Sequence, residues 1–148
     1  AICYATPSRE TGTITLPMGR ATDGRHVAHP HTDGQQLKPH DRSARTDYRI
    51  REQLNQFSLL ELTTASGRTH QIRAHLSAIG HPIVGDREYG PTKPFFHTGK
   101  RRIKRVATDH IYLHLEQLRF SGLHGTLHSF TAPLPETFTV FQTAHARP

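Results

Sequence analysis

The run from Leu59 to Asp86 constrains the fold most, because it sets one amphipathic helix between turn residues. Ile72, Leu76 and Ile79 recur at i, i+4 and i+7, a single apolar stripe. Gly80 followed by His81-Pro82 supplies the stop. Upstream, Phe57 to Leu62 is too short for a helix and is bounded by turn residues, which reads as a mostly buried strand, and Ser66-Gly67 supplies the tight turn between strand and helix. A helix with one apolar stripe needs a surface to lie on, so Ile72, Leu76 and Ile79 are predicted to face a sheet.

The start of that helix is basic. Arg68, His70 and Arg73 crowd the turn and the first helical turn, where the positive end of the helix dipole disfavours further positive charge. Cations placed there point to an anion, either a phosphate or a buried carboxylate. The alternative is a basic turn in solvent that tolerates a small dipole penalty.

Charge limits the partner. Across 148 residues the formal net charge is +7, and no apolar run approaches the length needed to span a membrane, so the expected partner is nucleic acid. Hydrophobic content of 34% with no Trp predicts a thin core for one domain's worth of chain. Cys3 is the single cysteine, which excludes an internal disulfide and fits a reducing, cytoplasmic setting.

In chain order, Ala1 to Ala5 reads as the tail of a strand and Thr11 to Leu16 as another, since β-branched residues alternate before Pro17. From Gly19 to Ser43 hydrophobic residues nearly vanish, and a long loop is expected. It carries His26, His29, His31 and His40. His-x-x-His-x-His can close on a metal, but the only thiol is Cys3 and no HExxH is present, so no metal is assigned. Arg45 to Glu52 should pair with Phe57 to Thr63 as an antiparallel hairpin whose charged face looks to solvent or RNA. Between Pro91 and Thr108, Lys93, Arg101, Arg102, Lys104 and Arg105 interleave with Phe95 and Phe96, a pattern suited to single-stranded RNA. The plainer reading is a solvated face with the Phe pair anchoring a loop. Ile111 to Phe120 reads as a strand with a bulge near Gln117, Thr126 to Ala132 as its hairpin partner, and Glu136 to Ala144 as a closing helix.

Gly-Arg-Thr-His-Gln-Ile-Arg-Ala-His-Leu at 67 to 76, then Gly80 to Asp86 and Tyr89-Gly90, resembles the signature of the RluA-type RNA pseudouridine synthases. Ala44 to Ile50, Leu113-His114-Leu115, Leu118-Arg119-Phe120 and Pro133-Leu134-Pro135 resemble flanking segments of that family, so the likeness runs from about residue 44 onward. It implies an α+β fold with a mixed, largely antiparallel sheet and one central packed helix. The family's nucleophilic aspartate, in a His-Arg-Leu-Asp run, has no counterpart here, and Tyr4 does not match its active-site tyrosine in register. The expectation is therefore the C-terminal part of one catalytic domain, beginning inside a strand that leaves an unpaired sheet edge and needing an absent N-terminal half.

The resemblance implies a cofactor-free and metal-free isomerisation of uridine to pseudouridine in rRNA or tRNA. Arg68 matches the arginine that pairs with the nucleophilic aspartate, and Ile72 the apolar residue beside the target base. His70, Gln71, Arg73 and His75 are motif residues with either an RNA-contacting or a structural role; together with Lys93, Arg101, Arg102, Lys104 and Arg105 they are the candidate RNA-binding residues. A non-catalytic RNA-binding module is the alternative, and a His-rich metal-dependent hydrolase the third.

Overall fold

The computed structural model describes residues 1–28, 40–91, 95–97, 101–103 and 105–148, so the candidates Lys93 and Lys104 and the loop histidines His29 and His31 lie outside the described residues. The fold is α+β. Four antiparallel strands, β1 (Ile2–Tyr4), β2 (Thr11–Ile14), β5 (Thr46–Gln53) and β6 (Phe57–Thr64), make a sheet ordered β1-β6-β5-β2. Three two-stranded hairpins accompany it: β3 (Met18–Arg20) with β4 (His26–Ala28), β7 (Phe95–His97) with β8 (Arg101–Ile103), and β9 (Gln117–Ser121) with β10 (Leu127–Thr131). Helix α1 spans Gln71–Ala78 and α2 spans Glu136–Ala144.

Helix α1 ends as its sequence predicts. Gly80 takes a positive φ of 83°, its N–H bonds to the Ser77 carbonyl at 3.0 Å, and the His81 N–H reaches back to Leu76 at 2.8 Å. This pair of bonds closes the last carbonyls of the helix and turns the chain onto the sheet. Leu76 is fully buried in the main core, with Ile72 and Ile79 packed against it. The core continues into α2, where Phe141 meets Phe57 at 5.1 Å and Tyr112 at 4.8 Å between ring centroids. Phe138 and Phe141, three residues apart, form the buried side of α2.

Four details differ from the sequence reading. Part of the expected 19–43 loop is the β3–β4 hairpin, turned at Asp23-Gly24 and seated with Met18, Ala28 and Ala44 against Ala74 of α1. Its strands are three residues long, too short for an alternating pattern to register. Residues 111–116 are not a strand: the backbone of Tyr112 pairs with Ile2 and Val84 and then leaves the sheet, so a ladder begins only at Gln117. The register shift lies in β5, between Ile50 and Glu52, rather than near Gln117. Strand β1 is not a free edge, because Tyr4 and Val84 bond across to Pro82 and Ile2, and Cys3 bridges Ile83.

Hairpin β3–β4 covers Ala74 of α1, and the polar residues of the helix that face β5 are enclosed as well. His75 is fully buried, with Nε2 2.8 Å from the Leu16 carbonyl and Nδ1 2.9 Å from Thr46 Oγ1. A carbonyl only accepts, so Nε2 carries the proton and Nδ1 accepts from the threonine hydroxyl. Burial pushes the His75 pKa below its ordinary 6.5, against a smaller opposing effect of the Leu16 carbonyl. Protonation would put a second donor against Thr46, whose Oγ1 already accepts from Gln71 at 3.1 Å. Stability from neutral His75 should therefore be fully present above pH 6.5 and fall as pH drops toward the lower native pKa. Urea unfolding midpoints between pH 7 and pH 5 should decline more steeply for the native chain than for His75→Asn, which cannot titrate; parallel declines would show that this ring is not the acid-sensitive group.

Candidate active site

The turn between β6 and α1 is built by one side chain. The Gln71 carboxamide oxygen accepts from Ser66 Oγ at 3.0 Å and from the Arg68 backbone N–H at 3.2 Å. Its nitrogen donates to the Arg45 carbonyl at 2.9 Å and to Thr46 Oγ1. Gln71 thus fastens the turn to β5 and is itself buried. Gln71 and His75, candidates for either an RNA-contacting or a structural role, both sit inside the fold. A glutamine whose four hydrogen bonds are all made by protein has nothing left to offer a ligand.

Arg73 is also committed internally. Its Nε and Nη2 form a bidentate pair with the carboxylate of Asp86, both at 2.8 Å, and Nη2 reaches Glu88 at 3.3 Å. The guanidinium lies 4.8 Å from the ring centroid of Tyr89. The Asp86 side chain is fully buried. Burial alone would raise its pKa, but Arg73 and the backbone N–H groups of Tyr89 and Glu88 outweigh that and hold it below the usual carboxylate range. The anion anticipated beside this basic helix start is, for Arg73, a buried carboxylate.

His70 precedes the helix in a left-handed conformation, φ 56°, and is half exposed. Tyr89 donates its hydroxyl proton to the His26 carbonyl at 2.7 Å, so His70 Nδ1–H is the donor in the 3.1 Å bond to Tyr89 Oη. Burial and the neighbouring Glu88 push the Tyr89 pKa up to about 12, which keeps that hydroxyl a donor. The network ties β4, the start of α1 and the 86–90 turn together, with the His26 and His70 rings 5.9 Å apart. Among the described residues no three His, Cys, Asp or Glu side chains gather as a metal site. Tyr89 and Asp86 carry most of this geometry; their place in the motif was the available signal.

Arg68 differs from its neighbours. Its backbone is fixed by Gln71, its side chain is exposed, and among the described residues its guanidinium has no hydrogen bond or ion pair. Ile72, one helical turn on, is half buried against the core. Arg105 is exposed, next to Val106, whose N–H bonds to Tyr4 Oη at 2.9 Å. Arg101 and Arg102 lie in β8, paired with β7; Lys93 and Lys104 fall outside the described residues. No described helix is long and apolar enough to cross a membrane.

Comparison with known proteins shows the family. The family model for RNA pseudouridylate synthase matches residues 1–78. An uncharacterised RNA pseudouridine synthase of Chloroflexus aurantiacus is 40% identical over 127 residues, covering 85% of this chain and 35% of the relative. A Chlorobaculum parvum relative of the same description is 38% identical, covering 92% of this chain and 42% of its own length. Ribosomal large subunit pseudouridine synthase D of Nitrosomonas europaea is 36% identical over 84% of this chain and 34% of the relative. The chain thus spans about two fifths or less of these curated relatives. Among solved structures, human RNA pseudouridylate synthase domain containing 4 superimposes with a TM-score of 0.65 at 21% identity, over 97% of this chain and 59% of that one. Domain containing 1 gives a TM-score of 0.60 at 22% identity, over 100% of this chain and 65% of that one. The chain belongs to the RNA pseudouridylate synthase family.

Proposed function

We propose that this chain is the C-terminal part of a single pseudouridine synthase catalytic domain, and that the completed domain isomerises uridine in rRNA or tRNA to pseudouridine in the cytoplasm. The observation that carries the reading is Arg68: an exposed guanidinium with no described partner, on a turn clamped by the buried Gln71, in a chain of this family. A side chain held at its root and free at its tip suits a carboxylate supplied from elsewhere in the domain. An aspartate there would be kept ionised and oriented by the adjacent guanidinium. The name of the Nitrosomonas europaea relative favours rRNA.

Isomerisation sets modest chemical demands. The glycosidic N1–C1′ bond of a flipped-out uridine breaks, a C5–C1′ bond forms, and the C5 proton is lost as N1 gains one, so no oxidant or reductant is consumed. The aspartate would act as nucleophile on the sugar or the ring, Arg68 would hold it, and Ile72 would pack beside the base. Arg73 and Asp86 set the frame from which Arg68 projects. RNA would be gathered by Lys93, Arg101, Arg102, Lys104 and Arg105, with His70 and Arg68 at the reacting end.

Joined to the segment of the Chlorobaculum parvum relative that carries the aspartate, the chain should release tritium from 5-tritiated uridine in RNA, and residues 1–148 alone should not. In the joined enzyme Arg68→Ala should lower kcat by at least about a hundredfold with an unchanged melting curve, a loss comparable to removing a preorganised charge partner. Arg73→Ala should instead lower stability by about 3–5 kcal/mol, because it strands a buried carboxylate. Activity from residues 1–148 alone, or normal turnover in Arg68→Ala, would overturn the assignment.

RNA affinity of the chain should be chiefly electrostatic. Replacing Arg101, Arg102, Lys104 and Arg105 by Ala should flatten the slope of log affinity against log salt by roughly 0.7 for each phosphate of single-stranded RNA that is no longer neutralised. A slope that does not change removes this segment from the interface.

A further inference from the structure

Isomerisation leaves one proton to be moved from C5 to N1, and the turn that carries Arg68 also carries a base. The Gln71 N–H bonds the Arg68 carbonyl at 3.0 Å, so Arg68, Thr69, His70 and Gln71 form a single reverse turn. Residues two apart lie within about 7 Å at their Cα atoms, so an aspartate held by Arg68 and a group carried by His70 can reach the same nucleotide. The left-handed backbone of His70, φ 56°, stands just ahead of the first helical residue, and its ring meets Tyr89 and Glu88.

That ring is held by one nitrogen only. Nδ1–H donates to Tyr89 Oη at 3.1 Å, and Glu88 Oε2 stands 3.5 Å from the same atom. Nε2 therefore carries the lone pair. Among the described residues no hydrogen bond or ion pair occupies it, on a side chain 36% exposed. The other charged and titratable groups nearby are committed. Asp86 is buried in its pair with Arg73, Glu88 leans on the same guanidinium, and Arg25, which faces Glu88, pairs with Asp23. Burial and Glu88 push the Tyr89 hydroxyl up to about 12. The His26 ring lies 5.9 Å from that of His70, and among the described residues no hydrogen bond fixes its tautomer.

We propose that His70 is a catalytic residue of the completed domain, its Nε2 carrying the C5 proton of the rejoined uracil to N1. Once the N1–C1′ bond has broken and C5 has attached to C1′, C5 is tetrahedral and the ring holds an N1=C6 double bond. Nε2 takes the C5 proton and the C–H electron pair restores C5=C6. The N1=C6 pair then moves onto N1, which takes the proton back from the imidazolium. The imidazole ends neutral, and no oxidant, reductant or second base is consumed. Glu88, beside Nδ1–H, steadies the transient imidazolium while Tyr89 keeps the ring in its tautomer.

The inference rests on the catalytic reading above, and the two fail differently. In the joined enzyme at saturating RNA, His70→Gln should lower kcat on uridine by at least about a hundredfold, the scale of a lost general base. RNA carrying 5-fluorouridine has no C5 proton to surrender, so the same variant should rejoin that base through C5 at close to the native rate, read by nuclease digestion and mass spectrometry. His70→Ala should regain uridine turnover when free imidazole is added. A merely structural loss would slow both substrates alike. That result, or normal uridine turnover in His70→Gln, overturns the proposal and leaves the catalytic reading standing, whereas a native joined enzyme without turnover overturns both. Nitrogen NMR of the histidine-labelled chain reads the tautomer without any turnover. It should find the His70 proton on Nδ1 near neutral pH, and a proton on Nε2 instead overturns the proposal even if the variants misfold.

Discussion

The buried hydrogen bonds around Thr46 are the constraint on which the rest of the site depends. One hydroxyl on β5 donates to His75 and accepts from Gln71, and those two side chains then reach the Leu16 carbonyl and the Ser66–Arg68 turn. Three segments distant in sequence are fixed relative to one another by a few short bonds in the interior. Each bond is worth only about 1 kcal/mol net, but an unsatisfied member would cost more. The network therefore specifies one arrangement of helix, sheet and turn more than it adds stability. A turn set in this way can hold an exposed arginine in place without touching its guanidinium.

The basic start of α1 divides its charges by depth. Arg73 pairs with the buried Asp86, which answers the local dipole penalty and fixes the 86–90 turn against the helix. Tyr89 then covers the guanidinium and carries the contact on to His26. Arg68 lies outside this enclosure. Two arginines of one motif thus do opposite work: one is consumed in building the frame, and the other is displayed by it.

Local spacing made α1, its glycine stop, the β5–β6 hairpin and α2 legible in the sequence, because each depends on contacts within a few residues. The β3–β4 hairpin was not legible. Its three-residue strands carry Met18 and Ala28 as their apolar contacts, and it is stabilised by lying on Ala74, a relation no local window contains. Gln71 and His75, whose role stood open between RNA contact and structure, are enclosed by bonds to Arg45, Thr46 and Leu16, partners far away in sequence. The residues of the site were legible as a motif, but the division between buried clamp and exposed tip depends on tertiary cover. Asp86 shows the same limit, since an acidic residue in a Gly-rich turn gives no sign that it will be enclosed by an arginine thirteen positions earlier.

The thin composition of the core has a structural counterpart in where the apolar residues went. Tyr4, Phe57, Tyr112, Phe138 and Phe141 form one aromatic cluster between the sheet and α2, packed with aliphatic core residues such as Ile2, Leu60 and Leu76, while Leu118, Phe120, Leu127 and Phe130 on the β9–β10 ribbon are exposed. Had those residues been polar, the ribbon would be an ordinary surface hairpin. Leu118, Phe120 and Phe130 share one face, and Leu127 lies on the other with Arg119 and Ser129. The chain thus exposes two features at different places, an apolar ribbon and an arginine tip, and the proposed function uses the second of them: the carboxylate that Arg68 would hold in the completed domain.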